Sequence, residues 1–136
     1  MAQSSVEGGC FCGAVRYKAG GRFLGSMVCH CRTCRGISGA PAVAWVSFPR
    51  GSFEFTQGEP RRFRSSARVW RTFCGDCGTP LTYEPEDSPQ EMDLTTCSLD
   101  EPDRFPPTHH SWLSHDLRWV RFGDGLPTYP RSRGDD

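Results

Sequence analysis

Three tight groups of cysteines constrain this chain more than any other feature. Cys10-Phe11-Cys12 stands near the start, Cys29-His30-Cys31-Arg32-Thr33-Cys34 follows, and Cys74-Gly75-Asp76-Cys77 completes the set, so seven of the eight cysteines are clustered. Two pairs and a trio divide into a four-thiolate site and a three-thiolate site. Cys74-x-x-Cys77-Gly78 has the outline of a zinc knuckle: two sulfurs three residues apart grip one ion, and the glycine after them lets backbone N–H groups approach sulfur. Cys10-x-Cys12-Gly13 is shorter and carries the same glycine. Neither pair completes a tetrahedron alone. Together they make a closed four-cysteine site that ties the first strand to the centre of the sheet across a long loop, so losing that metal is expected to be severe. The competing reading is two disulfides. Cysteines at i and i+2 are awkwardly placed for one, and a reducing compartment argues against both.

The middle cluster offers three thiolates, Cys29, Cys31 and Cys34, within six residues. Three ligands cap one face of a tetrahedral ion, and zinc sites that keep an exchangeable position are the catalytic ones. Three ligands also hold metal less tightly than four, so this second site is open to partial occupancy. His30 lies between two ligands; on a strand its side chain points away from theirs, which makes it a packing or supporting residue rather than a fourth ligand. Spacing leaves an open site and a closed one equally admissible. A closed site would draw on Cys97, His109, His110 or His115, although Cys97, in a strand-like run, reads as a buried cysteine without a ligand role. Zn²⁺ with three thiolates carries a formal charge of −1, which makes it a poor source of hydroxide and a better seat for a soft fourth sulfur. The chemistry indicated is activation of a thiol.

The rest of the composition sets bounds. The 136 residues fit one domain, expected to span 7–129 with 1–6 and 130–136 as flexible termini. Only 36% of residues are hydrophobic, with 15 Gly and 11 Pro, so the core is modest and metal staples help. Acidic and basic residues balance at 16 each, which gives no general attraction to nucleic acid or membrane. No apolar run is long enough for a membrane span, and residues 1–9 lack a signal-peptide pattern. A cytosolic, reducing location is the expectation.

Short β-branched and aromatic segments bounded by Gly, Pro, Asp or Ser predict an all-β fold. Strands are expected at 14–18, 23–29, 43–48, 51–55, 62–64, 68–73, 81–84 and 92–99. Helix is expected only as single turns at 33–39 and 102–105.

At these residues the sequence resembles the family of glutathione-dependent formaldehyde-activating enzymes, which includes centromere protein V. The resemblance runs through Gly8-Gly9-Cys10-Phe11-Cys12-Gly13-Ala14-Val15-Arg16-Tyr17, then the middle cluster with Arg35, Ser38-Gly39 and Trp45. It continues in Arg71-Thr72-Phe73-Cys74-Gly75-Asp76-Cys77-Gly78-Thr79-Pro80-Leu81 and ends at Ser98-Leu99-Asp100, Pro107, His110, Trp112, Trp119 and Asp124-Gly125-Leu126-Pro127. It implies a β-tent of angled antiparallel sheets around a structural zinc held by Cys10, Cys12, Cys74 and Cys77. A second zinc falls to Cys29, Cys31 and Cys34. The implied activity is that of a carbon–sulfur lyase condensing formaldehyde with glutathione to S-hydroxymethylglutathione.

Arg32 and Arg35 flank Cys34 and could pair with the carboxylates of a glutathione-like ligand or stabilise an anionic site; exposed solvated arginines are the plainer reading. The stretch Arg61, Arg62, Arg64, Arg68 and Arg71, interleaved with Phe63, Trp70 and Phe73, reads as an ordinary exposed sheet face ahead of a nucleic-acid surface. His109 and His110 read as packed histidines ahead of acid–base groups. Trp45, Trp112 and Trp119 are expected in the core, and Asp100 as a cap on the turn at Glu101-Pro102. Two functions compete: an enzyme joining a small thiol to an aldehyde, or a non-catalytic zinc-stapled module for protein binding or for metal and thiol sensing.

Overall fold

The computed structural model describes residues 3–134; the expectation for residues 1, 2, 135 and 136 lies outside that range. Among the described residues, ten strands and one short α-helix build two sheets. The smaller sheet has the order β1-β2-β5, from β1 (Gln3–Gly9), β2 (Arg16–Arg22) and β5 (Glu54–Gln57). The larger has the order β10-β3-β4-β9-β8-β7-β6. Its strands are β3 (Gly25–Cys29), β4 (Val43–Pro49), β6 (Arg61–Ser66), β7 (Val69–Phe73), β8 (Pro80–Pro85), β9 (Glu91–Thr95) and β10 (His110–Ser111). Every pairing among these strands is antiparallel except that of β10 with β3. The helix, α1 (Arg32–Ser38), follows the middle cysteine cluster. The all-β architecture is therefore as the sequence predicts. Among the described residues, no helix is long and apolar enough to cross a membrane.

Alternation places the core. On β2, Tyr17 and Ala19 face inward. On β4 and β9, Val46, Phe48, Met92 and Leu94 face the same way, and Val46, Phe48 and Leu94 are fully buried. With Val6, Val15, Leu81, Leu99 and Phe105 these residues form one cluster against the inner face of the small sheet. Each such side chain contributes roughly 1.5–3 kcal/mol by leaving water. The opposite face of β4 carries Trp45, which joins Cys29 and Cys34 in a separate, smaller cluster. The large sheet is thus covered on both faces, by core on one and by the cysteine trio on the other.

Several expectations are corrected. Residues 3–6, predicted as a loose terminus, lie in β1 and pair with Ala19–Arg22. At the other end, Pro130 and Arg131 are tied down by their carbonyls, which accept from the N–H groups of Ser114 (3.0 Å) and Trp112 (3.1 Å). The segment at 51–55 opens with a 3-10 turn before β5, and the strand predicted over 92–99 stops at Thr95. The 3-10 turn at Thr96–Ser98 rolls Cys97 outward, so it is exposed rather than buried. Trp119 is 72% exposed instead of core, and Trp112 is half-buried. Asp100 does not cap the following turn; it accepts both guanidinium nitrogens of Arg16, at 2.9 and 2.5 Å.

Candidate functional site

The two knuckles at Cys10 and Cys74 fold alike for the same reason. In each, the glycine after the second cysteine has a left-handed backbone, φ 83° at Gly13 and 84° at Gly78, which a Cβ would strain. Each glycine N–H returns to the carbonyl of the first cysteine, Gly13 to Cys10 (3.2 Å) and Gly78 to Cys74 (2.8 Å). That turn aims backbone N–H groups at sulfur: Val15 at Cys10 (3.2 Å), and Asp76 and Cys77 at Cys74 (3.3 and 3.4 Å). Thr79 joins the knuckles, accepting from the Phe11 N–H through a hydroxyl that lies 3.2 Å from the Cys77 sulfur. The Thr79 hydroxyl and N–H pull the Cys77 thiol down to about 5.

The donor set fits a tetrahedral ion. The ligand atoms of Cys10, Cys12, Cys74 and Cys77 all lie within 4.8 Å of one another, and all eight cysteines are free. Metal–sulfur bonds of about 2.3 Å put the sulfurs of a regular tetrahedron about 3.8 Å apart. Cys10–Cys12 is 3.6 Å and Cys12–Cys74 is 3.8 Å. Cys10 and Cys74 are buried, as a closed site linking β1 to the β7–β8 turn requires.

The trio is assembled by three neighbouring pieces. β3 ends at Cys29, α1 carries Cys34 on its buried side, and Cys31 stands at the helix entrance, where its sulfur accepts the N–H of Cys34 at 3.3 Å. The three sulfurs also lie within 4.8 Å of one another, and among the described residues no fourth Cys, His, Asp or Glu donor joins that group. The trio shares protons unequally. Cys31 is drawn toward the thiolate by Cys29 and Cys34, whereas Cys29 is pushed up by Cys31 and Cys34. Both clusters could hold a metal ion.

The trio opens onto a cavity of about 340 Å³, walled by Met27, Trp45, Tyr83 and Trp112, with Thr33, Ser65, Ser66, Asp93, His115 and Ser132 as polar lining. One guanidinium reaches it, from Arg71. Its Nη1 and Nη2 lie 3.9 and 3.8 Å from the Cys34 sulfur, its Nε donates to Ser65 Oγ at 2.9 Å, and it sits 4.8 Å from the Tyr83 ring centroid. Arg71 is 4% exposed and, among the described residues, forms no ion pair with a carboxylate. A buried cation needs a countercharge, and sulfur is the one at hand. Asp93 accepts from Ser47 Oγ at 2.6 Å, and burial pushes its carboxyl up to about 6. The His115 ring packs at a tilt against Trp112, centroids 4.9 Å apart, its Nδ1 buried without a hydrogen-bond partner.

Other residues named from sequence fall elsewhere. Arg32 and Arg35 line a separate depression with Trp119, and Arg35 Nη1 donates to the His115 carbonyl at 2.6 Å. His30, one residue past the end of β3, is buried, with Nε2 3.0 Å from His110 Nδ1, and His110 Nε2 lies 2.9 Å from Asp124 Oδ2. His109 stands apart, against Tyr129. Of the basic stretch, Arg62, Arg64 and Arg68 pair with Glu84, Glu86 and Asp87 on an exposed face. Arg71 is the member that sequence reasoning missed. Its signal was its place three residues before Cys74 on an alternating strand.

The chain is similar to known proteins in sequence and in fold. The family model described as glutathione-dependent formaldehyde-activating enzyme matches residues 5–115. An uncharacterized lyase of Schizosaccharomyces pombe is 34% identical over 85 residues, which take in 57% of this chain and 56% of the relative; the chain thus spans little more than half of that relative's length. A solved Rhodobacter sphaeroides protein shares the fold with a TM-score of 0.59 at 17% identity, over 90% of this chain and 98% of its own.

Proposed function

This chain belongs to the family of glutathione-dependent formaldehyde-activating enzymes, and from that premise we propose that it is a zinc-dependent carbon–sulfur lyase. It joins a small thiol of the glutathione kind to an aldehyde such as formaldehyde, and cleaves the adduct in reverse. Cys10, Cys12, Cys74 and Cys77 hold a structural zinc; Cys29, Cys31 and Cys34 hold the second. Bound at the trio, zinc supplies a soft Lewis acid that lowers the proton affinity of an incoming thiol. The thiol sulfur bonds to the carbonyl carbon, the carbonyl π bond opens, and the thiol proton ends on the oxygen.

The observation that carries this reading is Arg71. Zinc with three thiolates has a net charge of −1, and a buried guanidinium 3.8 Å from one of them balances it. Arg71, rather than Arg32 or Arg35, is the cation that faces the thiols. Arg35 acts on the site through the His115 backbone. Trp45, Tyr83 and Trp112 keep bulk water from the sulfur, and the polar lining provides partners for the amides and carboxylates of a peptide-like thiol. Activity in a reducing compartment such as the cytosol follows from the need for seven free thiols.

The test is direct. Zinc-loaded protein is titrated with glutathione and formaldehyde while adduct exchange is followed by NMR. Exchange faster than in the protein-free mixture is expected; an unchanged rate removes the reading and leaves the non-catalytic zinc module.

A further inference from the structure

A second cavity, of about 320 Å³, meets the thiol cavity at Cys34, Trp45 and Arg71, which line both. Its remaining walls differ in kind. Ile37 of α1, Val43 of β4, Phe63, Phe73 and Pro80 make them mostly hydrocarbon, and the Ser38 hydroxyl at their edge already donates to the Cys34 carbonyl at 2.8 Å. The two threonines that reach it, Thr72 and Thr82, hydrogen-bond to each other at 2.6 Å, so their hydroxyls are already partnered. Phe63 and Phe73 stand edge to face, with centroids 5.7 Å apart. Arg71 turns its charge to Cys34 and Ser65. The polar side chains Thr33, Ser65, Ser66 and Asp93 thus line only the thiol cavity, beside its aromatic walls, whereas the second cavity is almost wholly apolar.

An adduct of a thiol and an aldehyde has the same two-sided character. On one side of its new carbon–sulfur bond lies the polar thiol carrier; on the other lies whatever substituent the aldehyde brought. Formaldehyde brings none and would leave the apolar chamber to water. A dry apolar cavity of about 150 Å³ takes up benzene, so the chamber here has room for a group of that size or larger. We propose that the aldehyde partner of this enzyme carries an apolar alkyl or aryl group of about five or six carbons, seated between Ile37, Val43 and Phe63. This rests on the thiol–aldehyde reading above and narrows it. The bond changes are the same: sulfur adds to the carbonyl carbon, the thiol proton passes to oxygen, and nothing is oxidised or reduced.

The probes are S-methylglutathione and S-hexylglutathione, stable thioethers that place one or six carbons beyond sulfur. Each methylene moved from water into an apolar site strengthens binding up to about fourfold (about 0.8 kcal/mol). Calorimetry on the zinc-loaded protein should give a hexyl-to-methyl affinity ratio of at least about thirtyfold, given that five added methylenes set a ceiling far above it. Ile37→Trp and, independently, Val43→Phe fill the chamber and should cut that ratio at least tenfold, with melting curves to show that each variant is folded. Equal binding of the two thioethers, or a ratio that survives in both folded variants, overturns the inference. A kinetic arm separates it from its premise. Accelerated glutathione exchange with formaldehyde but not with hexanal leaves the lyase reading standing and removes this one, whereas no acceleration with either removes both.

Discussion

Asp93 offers a test of the electrostatics of the thiol cavity that does not depend on turnover. Its carboxyl lines the cavity from β9, between Ser47 on one neighbouring strand and Tyr83 on the other. Burial pushes it up from 3.8 to about 6, against the opposing Ser47 hydrogen bond, with the Glu91 charge adding to the rise. Between pH 3.8 and about 6 the folded chain keeps the Asp93 proton and the unfolded chain does not, so stability falls as pH rises through that window and the cost is complete above it. A gap of about two pH units at 1.36 kcal/mol each puts the cost on the order of 3 kcal/mol. Asp93→Asn keeps an oxygen to accept the Ser47 hydroxyl and can bear no charge. The variant should therefore be more stable than the parent at pH 8, by up to about 3 kcal/mol or roughly 10 °C in Tm, and the two should converge below pH 4. Urea melts of both proteins from pH 3.5 to 8, read as the difference between them, cancel any shared effect of acid on the metal sites. A difference that is flat across pH, or a variant less stable at pH 8, refutes the reasoning.

The other predictions concern the thiols and the buried cation. Cys74→Ser should abolish stable folding at 37 °C, because the proposed structural zinc would contribute about 10–16 kcal/mol, as much as a whole domain's stability. Cys31→Ser should lower metal content from two equivalents to one with the melting transition kept, and elemental analysis beside calorimetry decides. Arg71→Met should weaken the trio's hold on zinc about 10–100-fold in a chelator competition without lowering Tm, since a volume-matched apolar residue in place of a buried charge is neutral or stabilising; unaltered metal affinity would disconnect Arg71 from the trio. Ellman's reagent on the metal-loaded protein should show one fast thiol per chain, from exposed Cys97, and that phase should vanish in Cys97→Ser with no loss of stability.

What sequence could and could not reveal divides along physical lines. Cysteine spacing and a trailing glycine are local, and they located both knuckles and the trio. Val43–Phe48 was legible because alternation with Val46 and Phe48 on one face and Trp45 on the other marks a strand covered on both sides. β1 was not legible, because its sequence is polar and glycine-rich and its pairing with β2 is non-local. β10 is two residues long, and its parallel partner β3 lies some eighty residues earlier. Asp100 looked like a turn cap until folding brought Arg16 beside it from 84 residues away. Arg71 was hidden as one of five arginines in a chain whose total charge is balanced; only register separates it from Arg62, Arg64 and Arg68, which meet carboxylates on the exposed side.

That register is where the two cysteine sites meet. β7 delivers Arg71 opposite Tyr83 of β8, and one residue past its end the chain reaches Cys74, whose N–H donates to the Thr79 carbonyl at 3.0 Å and closes the turn into β8. A metal-bound quartet clamps that turn to β1, fixes β7 against β8, and so fixes the guanidinium over the trio. Burying an arginine away from any carboxylate costs several kcal/mol. A chain with 36% hydrophobic residues has little core to offset it. A zinc-filled quartet, at about 10–16 kcal/mol, would be large enough to offset that cost. With a metal in the quartet, the two cysteine groups would be coupled through the short stretch from Arg71 to Cys74: the clamp would supply rigidity that holds a buried guanidinium beside the trio.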